Sequence, residues 1–169
     1  LDEATQTRAL NALQQFGQRL RDLPHSHVRA VGTNTLRRSQ NARDFLKAAA
    51  QALGHPIEII SGPEEARLIY LGVAHTHGDD DVQRLVVDIG GGSTECIVGE
   101  GFEPYLRDSL YMGCVSFTQR FFPDGKLTAE RMRAAQTAAY QEIASIALEY
   151  LTKGWDEAVG ASGTINAVQ

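Results

Sequence analysis

Val86-Val87-Asp88-Ile89-Gly90-Gly91-Gly92-Ser93-Thr94-Glu95 is the stretch on which the reading of this chain turns. An apolar, β-branched run ending in Asp88 and Ile89 predicts a buried strand, three glycines predict a turn, and the alternation from Thr94 to Val98 predicts a second strand. Glycines without Cβ let successive backbone N–H groups come close to an anion, and the hydroxyls of Ser93 and Thr94 add donors, so the turn suits a phosphate. Asp88 and Glu95 flank it. Carboxylates beside a phosphate repel it unless a hard cation lies between them, and Mg²⁺ is the natural choice. The same residues also fit an ordinary glycine-rich hairpin with surface acids. They do not make a Walker loop, which needs Gly-Lys-Ser/Thr at the start of a helix.

Outward from this hairpin the pattern is regular. Gly99 to Gly101 turn the chain into a third strand over 104–110, which predicts an antiparallel meander. A long helix over 128–151, with Met132, Ala139, Ile143, Ile146 and Tyr150 on its inner stripe, leads to a fourth strand over 158–161. Upstream lie a helix through Leu10, Leu13, Phe16 and Leu20, a strand over 28–33, a helix over 41–53 stopped by Gly54, and a short strand over 57–60. A further helix begins near Pro63 and runs out near His77. The acidic loop Gly78-Asp79-Asp80-Asp81 predicts a solvated connection and a domain boundary, giving one part over 1–78 and another over 79–169. The alternation of strands and helices predicts an α/β fold with a mixed sheet and flanking helices.

Composition narrows the function. A net charge of −5 over 169 residues argues against nonspecific nucleic-acid binding, which needs a surplus of Lys and Arg, though it permits a local polyanion site. No apolar run reaches the roughly 20 residues of a membrane-spanning helix, the start lacks a secretory pattern, and two cysteines stand without ligand-like spacing. Together these predict a cytoplasmic protein with no integral membrane segment. The chain starts on Leu1 inside one helical pattern and stops at Gln169 inside another, and is expected to be a piece of a longer protein.

Three further segments could carry chemistry. In Ser61-Gly62-Pro63-Glu64-Glu65-Ala66-Arg67 an acid at the helix start could deprotonate water, or could merely oppose the helix dipole. In Gly32-Thr33-Asn34-Thr35-Leu36-Arg37-Arg38 an arginine could grip phosphate oxygens, or be solvated. Gly160-Ala161-Ser162-Gly163-Thr164 repeats the small-residue turn after a strand and could be a second anion seat. His75 and His77, two apart, have poor geometry for sharing a metal and are expected at the surface. Cys114 reads as a buried, inert thiol, with a nucleophile as the alternative.

Taken in order, Gly32-Thr33-Asn34-Thr35-Leu36-Arg37, the segment Glu58 to Val73, Val86 to Glu95, Met112 to Phe117 and Gly160 to Thr164 resemble the exopolyphosphatase and guanosine pentaphosphate phosphohydrolase family. That family is a branch of the actin, sugar kinase and heat-shock ATPase superfamily. The resemblance implies a ribonuclease-H-like fold in two lobes around a cleft, with 1–78 the rear of the first lobe and 79–169 most of the second. It implies Glu65 as catalytic base, Arg37 as the phosphate-gripping arginine, and Asp88 and Glu95 as acids associated with Mg²⁺. Gly90, Gly91, Gly92, Ser93 and Thr94 would form one phosphate loop, and Gly160, Ser162, Gly163 and Thr164 a second. The family's first phosphate loop, the last strand of its second lobe and its C-terminal helical part have no counterpart here. The implied reaction is hydrolysis of a terminal phosphoanhydride, with inorganic polyphosphate preferred on the form of the GGGS loop, Phe102-Glu103-Pro104 and Val115-Ser116-Phe117. Guanosine pentaphosphate is the alternative substrate, and ATP would be that of a kinase or ATPase of the same superfamily. The resemblance further implies a homodimeric parent.

Overall fold

A computed structural model of the chain describes residues 1–77 and 81–168, so the acidic loop lies, but for Asp81, outside the described residues. Two compact units divide at Ser61/Gly62. In the first, α1 (Glu3–Leu20) is followed by a short 3₁₀ turn, β1 (Ala30–Gly32), α2 (Asn34–Arg38), α3 (Ala42–Leu53) and β2 (Ile57–Ile59). Asp2 caps α1 by accepting from the Thr5 amide at 2.7 Å, and Gly54 ends α3 in the left-handed region at φ 76°. β1 and β2 pair in parallel, Val31 opposite Glu58. Where α1 crosses α3, a Cβ on Gly17 would sit 2.6 Å from the Leu53 carbonyl oxygen, so only glycine permits this approach.

The second unit comprises α4 (Gly62–His77), β3 (Gln83–Ile89), β4 (Thr94–Glu100), β5 (Glu103–Leu110), α5 (Cys114–Phe121), α6 (Ala129–Lys153), β6 (Glu157–Ala161) and α7 (Ser162–Val168). Its sheet runs β5-β4-β3-β6, with β3, β4 and β5 an antiparallel meander and β6 parallel to β3. The meander and the mixed sheet are as the sequence predicts. Strand alternation sends Val86 and Ile97 to one face, where Ala66, Tyr70 and Ala74 of α4 close over them. Tyr70, 1% exposed, also donates its hydroxyl to the Gly101 carbonyl at 3.2 Å. This packing puts α4 in the second unit, ahead of the boundary that composition suggested at residue 78.

The opposite face carries Leu85, Val87 and Cys96 beneath α6, around an apolar hollow of about 610 Å³. That hollow holds no carboxylate, so the acids read from the sequence belong to the other face. On α6, Ala139, Ile143, Ile146 and Tyr150 line the hollow as expected, whereas Met132 is 42% exposed and does not line it. Thr128 caps the start of α6 by accepting from the Arg131 amide at 3.2 Å, and Gly154 at φ 74° ends it. No described helix is long and apolar enough to cross a membrane.

Candidate active site

Register assembles the site. Asp88 of β3 lies directly opposite Glu95 of β4, and Glu95 directly opposite Ser109 of β5, so the three form a row across the strands on the α4 side of the sheet. Two acids facing each other across a ladder destabilise it, and Glu95 is 2% exposed. A buried carboxylate facing a half-buried one calls for a compensating group. Burial pushes the Glu95 carboxyl upward from the usual carboxylate range, hydrogen bonds from the Ser109 and Ser93 hydroxyls oppose that rise, and the charges of Glu65 and Asp88 add to it. The Ser109 bond, to Oε1, is 2.7 Å.

Electrostatic coupling thus places Glu65, Asp88 and Glu95 in one neighbourhood of the second unit. Of the two acids in the first turn of α4, Glu64 is engaged by Arg67 through Nε at 2.8 Å and Nη2 at 2.9 Å. Glu65 is the one whose charge reaches Glu95. Among the described residues no three His, Cys, Asp or Glu side chains are drawn close enough to cage an ion. The donor set nevertheless fits Mg²⁺: its groups are hard carboxylate oxygens that repel one another. That ion is usually held through one or two carboxylates, with waters and phosphate oxygens completing its octahedron.

The glycine turn is fixed from behind. The Cys114 amide donates to the Gly90 carbonyl, and the Val115 and Ser116 amides to the Gly91 carbonyl, each at 2.9 Å. In a trans peptide the C=O and the following N–H point in opposite directions. With the Gly90 and Gly91 carbonyls turned to the start of α5, the Gly91 and Gly92 amides therefore point away from it, as an anion-binding turn requires. Gly113 makes this possible: a Cβ there would lie 2.5 Å from the Gly92 nitrogen and 2.6 Å from the Gly91 carbonyl carbon. Ser116 braces the corner, its hydroxyl accepting from the Gly113 amide at 3.2 Å and donating to the Gly113 carbonyl at 3.1 Å. Thr94, assigned to the loop from sequence, is the first residue of β4, and its hydroxyl donates to the Met112 carbonyl at 2.6 Å.

Gly160 to Thr164 leave the sheet beside that turn, because β6 runs parallel to β3 with Ala161 opposite Asp88. Ser162, at φ 73°, is the one non-glycine residue with positive φ among the described residues, and its hydroxyl donates to the Ile89 carbonyl at 3.1 Å. A side chain held in the left-handed region costs energy and marks a turn fixed by its surroundings. Gly160 sits against Ile165, where a Cβ would meet Cγ2 at 2.5 Å. Gly163 and Thr164 lie in the first turn of α7. Arg37 belongs to the first unit, where its Nη1 donates to the Ile60 carbonyl at 2.8 Å.

Two features escaped the sequence reading: Ser109, and the helical start at Gly113 and Cys114 that holds the loop. The first becomes visible only when β5 is set in register against β4. The second leaves a faint signal in Gly113, a glycine within a segment that otherwise reads as apolar.

The model of the Ppx/GppA phosphatase family matches residues 1–169. The chain belongs to that family. The Ppx/GppA chain is 51% identical to the guanosine-5'-triphosphate,3'-diphosphate pyrophosphatase of Vibrio vulnificus (strain YJ016), over 100% of its own length and 34% of that protein's. With the enzyme of the same name from Vibrio parahaemolyticus serotype O3:K6 it shares 52% identity over 96% of its length and 32% of that protein's. It therefore spans about a third of the length of these curated relatives. An exopolyphosphatase crystal structure from Cytophaga hutchinsonii ATCC 33406 superposes with a TM-score of 0.88 at 26% identity, covering 99% of this chain and 54% of that one. The Aquifex aeolicus PPX-GPPA enzyme gives 0.72 at 30% identity, covering 98% and 53%. The fold is accordingly α/β, that of the Ppx/GppA enzymes.

The cysteines of this Ppx/GppA chain differ sharply. Cys96 is half-buried, and its thiol is pushed up to about 11 by burial and by the neighbouring charges of Asp108 and Glu95. Cys114 is exposed at the start of α5, contrary to the buried thiol expected from sequence, because the helix begins at the surface once its amides have met the glycine turn. A maleimide at pH 7.5 is expected to add one label, at Cys114, since Cys96 is then less than about 0.1% thiolate. Peptide mass spectrometry checks this, and rapid labelling at Cys96 would contradict the packing described.

Proposed function

We propose that this chain supplies the cation- and phosphate-binding face of a hydrolase that removes the terminal orthophosphate of guanosine pentaphosphate. The observation that carries the reading is buried Glu95, facing Asp88 and sensing Glu65 beside an amide-lined glycine turn. The choice of a guanosine substrate over polyphosphate follows relatives at 51% and 52% identity, both named for it, whereas the exopolyphosphatase neighbour stands at 26%. Polyphosphate remains the second reading, supported by that neighbour's TM-score of 0.88.

In the proposed mechanism Glu65 orients a water molecule and takes its proton as the water oxygen attacks the terminal phosphorus. The anhydride P–O bond breaks, and the electron pair leaves with the shortened substrate. The Gly91 and Gly92 amides hold phosphate oxygens, the Ser93 hydroxyl being turned to the Glu95 carboxylate, Gly160 to Thr164 seat a neighbouring phosphate, and Arg37 is a phosphate-binding arginine of the first unit. Mg²⁺, when bound by Asp88 and Glu95, would offset the charge of the phosphoryl oxygens. No covalent enzyme intermediate enters. Orthophosphate release by the full-length enzyme from guanosine pentaphosphate, long-chain polyphosphate and ATP tests the assignment. The highest kcat/KM is expected for the guanosine substrate. A higher value for polyphosphate would install the second reading, and turnover of ATP alone would place the enzyme among the kinases and ATPases.

A further inference from the structure

The hairpin joining β4 and β5 contains a register shift that decides which residue meets Glu95. From its turn the ladder pairs Glu100 with Glu103 and Gly99 with Pro104; continued without interruption, that register would set Asp108 opposite Glu95. A third acid would then join the row. The irregularity between Val98 and Gly99 moves the register by one residue, and Val98 pairs with Leu106 and Glu95 with Ser109. A one-residue slip exchanges the faces of every side chain beyond it. Asp108 is thereby turned to the other side of the sheet, where its Oδ2 accepts from the Tyr150 hydroxyl at 3.0 Å. The shift is locked by Gly99, where a Cβ would lie 2.5 Å from the Tyr70 ring and 2.6 Å from the Glu103 carbonyl oxygen.

We infer that Ser109 is a positioning residue, delivered by the bulge at Val98/Gly99 to hold the Glu95 carboxylate in the orientation that receives a divalent cation. The inference rests on the proposed role of Glu95. Ser109 gives Oε1 one neutral donor and Ser93 is a second on the same carboxylate, so lone pairs are left for another partner, whereas an acid in the place of Ser109 would repel it. A hydroxyl is small and uncharged, so it fixes the rotamer without competing for the cation. Groups of this kind, bonded to a ligand and not to the metal, commonly change metal affinity by about 10- to 100-fold when removed.

The test is Mn²⁺ binding to this chain, read by the electron paramagnetic resonance of the free ion, for the wild type, Ser109→Ala, Ser109→Thr and Glu95→Gln. Ser109→Ala is expected to weaken binding about 10-fold, with Ser109→Thr within about twofold of wild type, because threonine restores the hydroxyl. Near-wild-type affinity in Ser109→Ala, with Glu95→Gln weakened, would overturn the role of Ser109 and leave that of Glu95 standing. Unchanged affinity in Glu95→Gln would instead remove the underlying reading. A thermal midpoint lowered equally in Ser109→Ala and Ser109→Thr, with matching losses of affinity, would mark Ser109 as a packing residue and also overturn the inference.

Discussion

Glu65→Gln in the full-length enzyme is expected to lower kcat by about 10²- to 10⁴-fold while KM changes little. Glutamine keeps the shape and hydrogen-bonding reach of the side chain in the first turn of α4 but cannot accept the proton of the attacking water. It also removes one of the two charges that push the Glu95 carboxyl upward, so binding of cation and phosphate should hold or improve slightly. Glu64→Gln, one residue away, gives the contrast. Its carboxylate is committed to Arg67, so its loss should leave kcat close to wild type. Steady-state kinetics on both variants decides the matter: equal effects at the two positions, or no effect at Glu65, would remove Glu65 from the chemistry.

Gly113→Ala carries the second large effect. Its φ of −144° is open to any residue, so the penalty is purely one of space. The added methyl would meet the Gly92 nitrogen and the Gly91 carbonyl group at 2.5–2.6 Å, and these are backbone atoms that cannot rotate aside. Relief requires the glycine turn to separate from α5, breaking the bonds from Cys114, Val115 and Ser116 that orient its amides. Overpacking of this kind costs about 1–3 kcal/mol of stability. The loss of phosphate affinity should be larger in proportion, about 10-fold or more, because misdirected amides lose charge-assisted bonds. Isothermal titration with guanosine pentaphosphate, alongside thermal unfolding, separates the two effects. A stable variant with wild-type affinity would show that the turn does not hold phosphate.

Much of the second unit was legible because its strands alternate cleanly and its turns are glycine-rich: Leu85 to Leu110 read as a meander, and the strand at Ala158 to Ala161 was placed correctly. What sequence could not supply was tertiary choice. Cys114 to Phe121 is helical although Val115, Phe117 and Phe121 favour strands, because its first amides meet the Gly90 and Gly91 carbonyls and Ser116 closes the corner. Ser109 was hidden by a one-residue shift that no hydrophobic pattern announces. The nearness of Glu65 to Asp88 and Glu95 came from family resemblance alone, since nothing in the spacing of α4 and the glycine turn dictates it. Among the described residues the three carboxylates form no ion cage, although the charges of Glu65 and Asp88 both act on Glu95.

The central claim is that a divalent cation lodges beside the glycine turn, next to the row formed by Asp88 and Glu95. Substoichiometric Mn²⁺ added to the isotopically labelled chain tests it most directly, because the ion broadens the amide signals nearest to it. Broadening is predicted first at Asp88, Gly90 to Glu95 and Glu65, and should be displaced by excess Mg²⁺. Broadening confined to exposed acids such as Asp22, Glu58 and Asp124, with the glycine turn untouched, would contradict the account.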